Sequence, residues 1–251
     1  MSFPLKPLKW YKKLATRKGR LEAEAFIVEG ERAISQIIAG SPEQVIEILT
    51  VNEPPPVYRK YPVRSITESQ CDYICSTKTP QGSMAVVRMP VEIYSDHLPD
   101  DTGNRILLLE DIQDPGNVGT LIRTAAAFDF SGVIMSAKSA DPLSPKCIQA
   151  AAGTILSVWT RRTEGYLELT QALKEENFTV AAADVHGNES VSVLKHQGKL
   201  ILTLGNETAG LSDMLLNMAD YRLRIATVRE KAESLNVAVA GAICMYVSSQ
   251  L

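Results

Sequence analysis

The residues of this chain that could do chemistry are concentrated in three short stretches, each of which follows an apolar run or opens a helix. In the first, the apolar run 106–109 is followed by a turn, 114–119, that contains Asp, Pro, Asn and two Gly. Glycine in such a turn lets the backbone approach a ligand closely. The turn leads into an Ala-rich helix that carries Arg123, with Asn117 as its expected N-cap. This order is typical of a site for a nucleotide-like ligand at the carboxyl end of a parallel sheet.

The other two stretches carry carboxylate, hydroxyl and amide groups. In the second, Glu207 lies between Gly205 and Gly210, directly after an apolar run. As part of a purely structural turn, this carboxylate would instead bind backbone amides. In the third, Ser234 or Asn236 would cap the last helix, and capping alone could explain both residues.

The last expected helix, 237–247, is apolar on nearly every side and contains Ala and Gly. A helix of this kind must be buried. Its small residues allow close packing against another helix or against a second subunit.

Composition indicates a soluble globular protein and argues against several other classes. No apolar run approaches the roughly 18 residues that a membrane helix needs. The start of the chain lacks the apolar core of a secretory signal, so we expect a cytoplasmic protein. The four cysteines are scattered, which predicts buried thiols and no metal site, and the three histidines are too dispersed to indicate a histidine-based triad.

Positive charge is concentrated at the start of the chain, although the net charge is −3. The first 20 residues contain no acid, and Trp10 and Tyr11 lie among the cations. A cationic stretch with interleaved aromatics can neutralise phosphates and stack on bases, which is how proteins hold single-stranded or looped RNA. The alternative is a solvated helix face. The cations are Lys6, Lys9, Lys12, Lys13, Arg17, Lys18 and Arg20.

The pattern of short strands and helices predicts two α/β domains. Residues 1–90 form the first, residues 91–104 a polar, turn-rich linker, and residues 105–251 the second. In the second domain, short apolar strands alternate with helices, which indicates a parallel sheet covered on both faces. Its strands are expected at 106–109, 132–135, 155–160, 179–183 and 200–204.

The three stretches resemble, in order and content, the motifs of the SpoU (TrmH-like) branch of the SPOUT methyltransferases, which are RNA ribose 2′-O-methyltransferases. The residues that match are Asp114, Pro115, Asn117, Gly119 and Arg123 in the first motif, Gly205, Glu207 and Gly210 in the second, and Ser234, Leu235, Asn236 and Val237 in the third. The resemblance extends over the whole chain, because the amino-terminal part looks like the L30e-like substrate-binding domain that many members carry.

This resemblance implies an α/β fold in which the second domain is a SPOUT parallel-sheet domain with a deep trefoil knot, against the general rule that chains avoid knots. It also implies S-adenosylmethionine as the cofactor, with Gly205, Ile225 and Leu235 as cofactor contacts, and no metal. The family works as a homodimer whose buried surface includes the last helix. The smaller amino-terminal domain would bind the RNA substrate.

The resemblance further implies that Asn117, Arg123, Glu207, Ser234 and Asn236 are the catalytic residues. Because a guanidinium is effectively always protonated, we expect Arg123 to bind a phosphate and stabilise alkoxide charge instead of accepting the proton. Glu207 would orient that guanidinium through a charge-assisted hydrogen bond. Asn117, Ser234 and Asn236 would position the ribose.

One loop departs from the family's pattern. Residues 225–233 lack the Pro, Met and Gly that usually precede the third motif, and the loop is one residue longer.

The resemblance makes an RNA 2′-O-methyltransferase the leading hypothesis, with ribosomal RNA favoured over transfer RNA. The alternative is an RNA-binding module whose methyltransferase-like domain binds the cofactor weakly or no longer binds it.

Overall fold

The computed structural model describes residues 6–77, 79–228, 230–231 and 234–250. The chain forms two compact units: Met1–Val91 together with Pro142–Ser157, and Glu92–Asp141 together with Val158–Leu251. This division differs from the predicted one in two places. The segment 142–157 groups with the first unit, and nearly all of the expected linker, 91–104, groups with the second.

The elements follow one another as alternating helices and strands. The helices are α1 (Leu8–Lys13), α2 (Arg17–Ala23), α3 (Glu31–Gly40), α4 (Glu68–Ile74), α5 (Pro115–Ala127), α6 (Pro145–Ala151), α7 (Tyr166–Glu175), α8 (Asp213–Met218) and α9 (Val237–Ser248). The strands are β1 (Ala25–Glu29), β2 (Val45–Thr50), β3 (Val63–Ser65), β4 (Ser83–Arg88), β5 (Arg105–Leu109), β6 (Gly132–Ser136), β7 (Trp159–Thr163), β8 (Thr179–Ala183), β9 (Glu189–Ser190), β10 (Leu200–Leu204) and β11 (Tyr221–Arg224). Short 3₁₀ turns lie at Pro42–Gln44, Pro56–Lys60, Thr154–Leu156 and Val191–His196.

The first unit is built on a four-stranded sheet in the order β1-β4-β2-β3. Strand β4 is antiparallel to both of its neighbours, and β2 pairs with β3 in parallel. Helices α1 and α4 pack against each other, and Leu14, Leu49, Ile74 and Met84 belong to one buried apolar cluster. This confirms a small α/β domain in the amino-terminal part.

Two residues of the basic amino-terminal stretch are structural. Tyr11 is fully buried, where its hydroxyl donates to Glu47 over 2.7 Å and accepts from Arg64 over 3.2 Å. Burial, together with the hydrogen bond to Glu47, raises the pKa of Tyr11 to about 12. Arg20 is 2% exposed and donates to the carbonyl oxygens of Leu14 and Ala15. Neither side chain is therefore available to RNA, contrary to the expectation from sequence.

The segment Pro142–Ser157 belongs to the first unit because of its apolar contacts. Helix α6 packs on β1, and the 3₁₀ turn Thr154–Leu156 packs on α3. Leu143, Cys147 and Ile148 of this segment are buried. Sequence periodicity reveals the helix, but it cannot reveal which sheet the helix covers.

The second unit contains a seven-stranded sheet in the order β7-β6-β5-β10-β8-β11-β9. Every pair of neighbours in it is parallel. Strands β6 and β10 are buried at every position, which is the pattern of a sheet covered on both faces. The predicted parallel α/β sheet is confirmed.

Residues of the expected linker make specific contacts within the second unit. Arg161, which is almost fully buried, forms an ion pair with Glu92 and donates to the carbonyl oxygen of His97 over 2.6 Å. The indole of Trp159 donates to the carbonyl oxygen of Thr102 over 3.1 Å. Polar groups of 91–104 are therefore hydrogen-bonded to the rest of the second unit, and the segment is not a free linker.

Most predicted strands lie where the sequence indicated, and two of them, β8 and β10, have the predicted bounds. The strand expected at 155–160 is wrong: a 3₁₀ turn occupies Thr154–Leu156 and β7 begins only at Trp159. Strand β11 was not predicted, and its residues are half-buried or exposed except at Leu223. An edge position explains this, since β11 has only the two-residue β9 on its outer side.

The sequence predicted buried thiols, and it indicated neither a membrane helix nor a metal site. Cys71, Cys75, Cys147 and Cys244 are buried thiols, as predicted. Across 6–77, 79–228, 230–231 and 234–250, no helix combines the length and apolarity needed to span a membrane. Within these ranges no cluster of His, Cys, Asp and Glu could hold a metal ion. The trefoil knot stays a prediction.

Candidate active site

The sheet of the second unit brings the three motifs to one edge. The first motif follows β5, the second follows β10, and the third follows β11, and these strands run in parallel. Because parallel strands present their carboxyl ends at the same edge, the three following loops lie on one side of the sheet. This is how stretches more than a hundred residues apart in sequence contribute to one site.

Helix α5 begins earlier than predicted and is capped by a different residue. Its N-cap is Asp114, whose carboxylate accepts from the backbone N–H groups of Gly116 over 2.6 Å and Asn117 over 3.1 Å. Pro115 follows at the first helical position, where its missing N–H has no consequence. The predicted cap, Asn117, is therefore inside the first turn, and its side-chain amide is available for other contacts.

The amide of Asn117 connects all three motifs. Its Nδ2 donates to Oε1 of Glu207 over 2.8 Å, and its Oδ1 accepts from Nδ2 of Asn236 over 3.2 Å. Asn117 is half-buried, whereas Glu207 and Asn236 are exposed. The three predicted site residues thus form one continuous hydrogen-bonded row on the solvent side of the sheet edge.

Asn236 has two functions in this arrangement. Its Oδ1 caps α9 by accepting from the N–H groups of Ala238 over 2.9 Å and Val239 over 3.3 Å. Its Nδ2 is the group that binds Asn117. Capping and site chemistry, which the sequence presented as alternatives for this residue, are performed by opposite ends of one amide.

The second motif is a tight loop whose backbone is held by Asn206. The side-chain oxygen of Asn206 accepts from the N–H groups of Thr208 over 2.9 Å and Ala209 over 3.0 Å. Asn206, and not Glu207 as the structural alternative had it, is therefore the residue that binds the backbone amides of this turn. A Cβ atom on Gly205 would lie 2.3 Å from the carbonyl carbon of Gly210, and the loop can close only because Gly205 has none.

Arg123 lies on α5 about 9 Å along the helix axis beyond Asn117, as six residues of α-helix dictate. Its side chain is exposed. Within the part of the chain that the structure describes, it makes no hydrogen bond or ion pair. The expected pairing of Glu207 with Arg123 is not observed, because Glu207 binds Asn117 instead.

The remaining predicted site residues lie in or beside the loop after β11. Ile225 and Leu235 are half-buried, and Ser234 is exposed. Three residues of the loop that departs from the family's pattern, Arg229, Ala232 and Glu233, lie outside the described residues. The described apolar side chains and the glycine loop after β10 are at the same edge of the sheet.

An apolar groove begins at the site and follows α9. It has a volume of about 530 Å³, and both Asn117 and Asn236 line it. Val239 and Tyr246 are 49% and 53% exposed, a high fraction for large apolar side chains. The other lining residues are Thr120, Phe128, Ala238, Ala242 and Ile243.

Helices α5 and α9 pack closely behind this groove. A Cβ atom on Gly241 would lie 2.5 Å from Leu121 and 2.7 Å from Leu204, so the helices approach each other over a glycine. The opposite side of α9 is therefore buried, as predicted, while one stripe of it faces the groove. Two helices that are fixed against each other in this way also fix the distance between Asn117 and Asn236.

Four residues that shape the site were not among the predicted site residues. They are Glu110, Asp111, Asn206 and Ser212. One signal was present: Glu110 is a carboxylate placed directly after an apolar run that reads as a buried strand. Its partners are far away in sequence and could not be identified from spacing.

Comparison with known proteins agrees with the geometry. The model of the SpoU rRNA Methylase family matches residues 104–246, and the model of the MRM3-like substrate binding domain matches residues 6–85. The 23S rRNA (guanosine(2553)-2'-O)-methyltransferase RlmP of Bacillus subtilis is 32% identical over 244 residues, which cover 95% of this chain and 94% of that protein.

Two solved structures extend the likeness to the fold. The SpoU methyltransferase AviRb of Streptomyces viridochromogenes, in complex with AdoMet, has a TM-score of 0.82 at 25% identity and covers 98% of this chain and 97% of its own. A TrmH-family protein of Porphyromonas gingivalis has a TM-score of 0.82 at 29% identity, covering 98% of each chain. With three motifs joined at one sheet edge and matches of this extent, the chain belongs to the SpoU rRNA methylase family.

Proposed function

We propose that this protein methylates a ribose 2′-hydroxyl of 23S rRNA, the RNA on which its Bacillus subtilis relative acts. Membership of the SpoU family agrees with the activity predicted from the motifs, methyl transfer from S-adenosylmethionine to RNA. The observation that carries the proposal is the hydrogen-bonded row Asn236–Asn117–Glu207, which unites the three motifs. A ribosomal substrate also implies work in the cytoplasm.

The residues at the sheet edge fit S-adenosylmethionine. The loop after β10 presents its backbone, because Gly205 lacks a side chain and the loop closes on itself. Ile225 and Leu235 offer half-buried apolar side chains, which suit the faces of an adenine ring. We assign the cofactor to these three residues. S-adenosylmethionine, when bound, supplies an electrophilic methyl group on a positively charged sulfur.

Transfer to a ribose requires the 2′-oxygen to be held in line with the methyl group while its proton passes to solvent, to which the site is open. Asn117 and Asn236 have fixed amides at the site, because each binds the other and one of them also caps α9. We assign to them, with Ser234, the positioning of the ribose. Glu207 then acts by holding the Asn117 amide in its orientation.

Arg123 is the group that stabilises charge on the reacting oxygen. Its guanidinium is exposed, and no described residue forms a hydrogen bond or ion pair with it, so it is available to a phosphate of the substrate. A guanidinium stays protonated at any physiological pH, which excludes it as the base. Its five N–H donors suit a bidentate contact with phosphate and an electrostatic contact with a developing alkoxide.

RNA would be recruited by the exposed cations of the first unit. Arg20 is buried and structural, so it is not part of this surface. The exposed lysines of the amino-terminal stretch are Lys6, Lys9, Lys12, Lys13 and Lys18. Lys12 lies 5.7 Å from the ring centroid of Tyr73, which is 47% exposed. A cation beside an exposed aromatic ring suits a phosphate next to an unstacked base. Tyr73, and not the buried Tyr11, is therefore the aromatic residue that we assign to RNA contact.

A second copy of the chain would cover the apolar groove along α9. The groove presents Val239 and Tyr246 to solvent at the edge of the site. Exposed apolar surface of this kind on a soluble protein marks an interaction site. A symmetric pair of such faces gives a closed dimer, the commonest oligomer.

Mapping of 2′-O-methyl groups in total RNA from cells with and without the gene tests the function. We expect one ribose of 23S rRNA to lose its methyl group when the gene is deleted and to regain it when the wild-type gene is restored. Restoration with Arg123→Ala should leave that ribose unmethylated. An unchanged methylation pattern, or a loss confined to transfer RNA, would contradict the proposal.

A further inference from the structure

A buried carboxylate lies directly behind the second motif and has no part in the reaction described above. Glu110 follows β5 and is 4% exposed. A buried charge is unfavourable unless hydrogen bonds compensate it. Glu110 accepts three: from the backbone N–H of Ser212 over 2.7 Å, from the hydroxyl of Ser212 over 2.7 Å, and from the hydroxyl of Tyr166 over 2.7 Å. Burial and this contact raise the pKa of Tyr166, so its hydroxyl remains a donor.

Two of these three donors belong to the residue that ends the glycine loop. Ser212 is also the N-cap of α8, where its hydroxyl accepts from the N–H of Leu215 over 3.3 Å. Loop and helix therefore meet at one side chain, and that side chain is fixed by Glu110. The position of the far end of the loop is set by a carboxylate on a different strand.

The near end of the loop is held by Glu110 and by the next residue in the chain, Asp111. The backbone N–H of Glu110 donates to the carbonyl oxygen of Leu204 over 2.9 Å, immediately before the loop begins. The carbonyl oxygen of Asp111 accepts from Nδ2 of Asn206 over 2.9 Å, inside the loop. Glu110 and Asp111 thus hold the loop at its start, in its first turn and at its end.

The backbone of Asp111 is itself in an uncommon conformation that its surroundings maintain. Its φ is +57°, in the left-handed region that non-glycine residues rarely adopt. The hydroxyl of Ser136 accepts from the N–H of Asp111 over 2.9 Å and donates to its carboxylate over 2.7 Å. A strained residue held by two directed bonds, next to a site, indicates that the direction of its carbonyl group matters.

We propose that Glu110 is a positioning residue for S-adenosylmethionine: acting through Ser212, it holds the loop 205–211 in the shape that binds the cofactor. The inference rests on the proposed function, because the loop is assigned to the cofactor there. An apolar side chain at this position could not direct the N–H and hydroxyl of Ser212. Cofactor affinity then depends on Glu110, while RNA affinity does not.

The test measures cofactor binding and loop opening separately from activity. Calorimetric titration with S-adenosylmethionine is compared for wild type, Glu110→Gln and the matched control Tyr166→Phe, which removes the one hydrogen bond to Glu110 that Ser212 does not make. We expect Glu110→Gln to weaken binding about tenfold, since hydrogen bonds to a charged group are among the stronger ones. Tyr166→Phe should stay within about twofold.

Hydrogen exchange without cofactor gives a second readout. Amides of 205–211 should exchange faster in Glu110→Gln, with unchanged exchange in the strands of the first unit. In steady-state kinetics, KM for S-adenosylmethionine should rise while kcat and KM for RNA stay near wild type. The double variant Glu110→Gln with Ser212→Ala should bind no more weakly than the weaker single variant, because the two residues act through one contact.

Each outcome distinguishes this inference from the proposed function. If wild type binds the cofactor and Glu110→Gln binds it equally well, the positioning role is refuted and the function stands. If wild type shows no binding, both are refuted. Should Glu110→Gln fail to fold, Ser212→Ala decides the question: unchanged affinity and unchanged loop exchange in that variant refute the role, and weaker affinity with faster loop exchange supports it.

Discussion

Asn117 donates a hydrogen bond of 2.8 Å to Glu207, a residue 90 positions later in the chain. The pairing places helix α5 and the glycine loop after β10 in one candidate site. The orientation of the Asn117 amide is fixed at both ends, because Asn236 donates a hydrogen bond to its Oδ1. An amide held at both ends can orient a substrate hydroxyl without reorganising during the reaction.

Replacement of Asn117 by alanine should reduce catalysis and leave cofactor binding intact. The variant removes the central member of the row, so the ribose would no longer be held and Glu207 and Asn236 would lose their common partner. We expect kcat to fall about 100-fold, the scale of losing one oriented polar group at an active site. Methyl incorporation into 23S rRNA fragments measures this.

The matched control is Asn217→Ala, which removes an exposed asparagine from the short helix α8. Its kcat should stay within about twofold of wild type, as is usual for surface substitutions. Full activity of Asn117→Ala would show that the row is only structural.

The basic surface of the first unit should govern RNA affinity through electrostatics. Lys9 and Lys13 are exposed on α1. Their joint replacement by alanine should weaken RNA binding about tenfold near 0.1 M salt and reduce the slope of log affinity against log salt by about 1 to 2. Filter binding across a salt series provides both values.

Lys195 and Lys199 of the second unit, replaced together by alanine, make a control of equal charge. An equal loss of affinity in this control would indicate that net charge alone is responsible. Binding of S-adenosylmethionine should remain at the wild-type level in both double variants.

The sequence was most informative where a local rule determines the structure. Strands β8 and β10 have the predicted bounds because continuous apolar runs form buried strands. The family resemblance implied Asn117, Asn236 and Glu207 as site residues, and the structure brings these three side chains together. Strand β11 was not found, because a half-exposed edge strand has no apolar run to indicate it.

The contacts that arise from tertiary structure could not be predicted. Asp114, not Asn117, caps α5, since both residue types are good caps and only the backbone decides between them. Glu207 pairs with Asn117 instead of Arg123 because the end of β10 lies beside the start of α5. Glu110 and Ser212 are 102 residues apart, a separation over which sequence pattern carries no information.

The apolar groove along α9 should be an interface between two copies of the chain. Val239→Asp places a charge on a side chain that is 49% exposed and lines the groove. Burying an unpaired carboxylate is costly, so we expect the variant to be monomeric at micromolar concentration where wild type is dimeric. Sedimentation velocity measures the two states.

Val57→Asp is the matched control, since Val57 is 42% exposed and lies in the first unit. This variant should sediment as a dimer. A dimeric Val239→Asp, or a monomeric wild type, would show that something other than a second copy covers the groove.

The role of Arg123 can be tested by keeping its charge and changing its shape. Arg123→Lys retains a cation but loses the planar pair of donors that can contact phosphate at two points. If the guanidinium binds the substrate phosphate and stabilises the alkoxide, kcat should fall about 100-fold in Arg123→Lys and further in Arg123→Ala. Arg59→Lys, at an exposed arginine of the first unit, should have wild-type activity.

The pH dependence separates stabilisation of charge from acceptance of a proton. A lysine could serve as a base at high pH, whereas a guanidinium cannot. If Arg123 acts only by its charge, the activity of Arg123→Lys should remain low across the range from pH 7 to pH 10, in parallel with wild type. Recovery of activity by Arg123→Lys as the pH rises toward the ordinary pKa of lysine, about 10.4, would instead assign the proton to this position. Near full activity of Arg123→Lys at neutral pH, with undiminished RNA affinity, would exclude the bidentate contact.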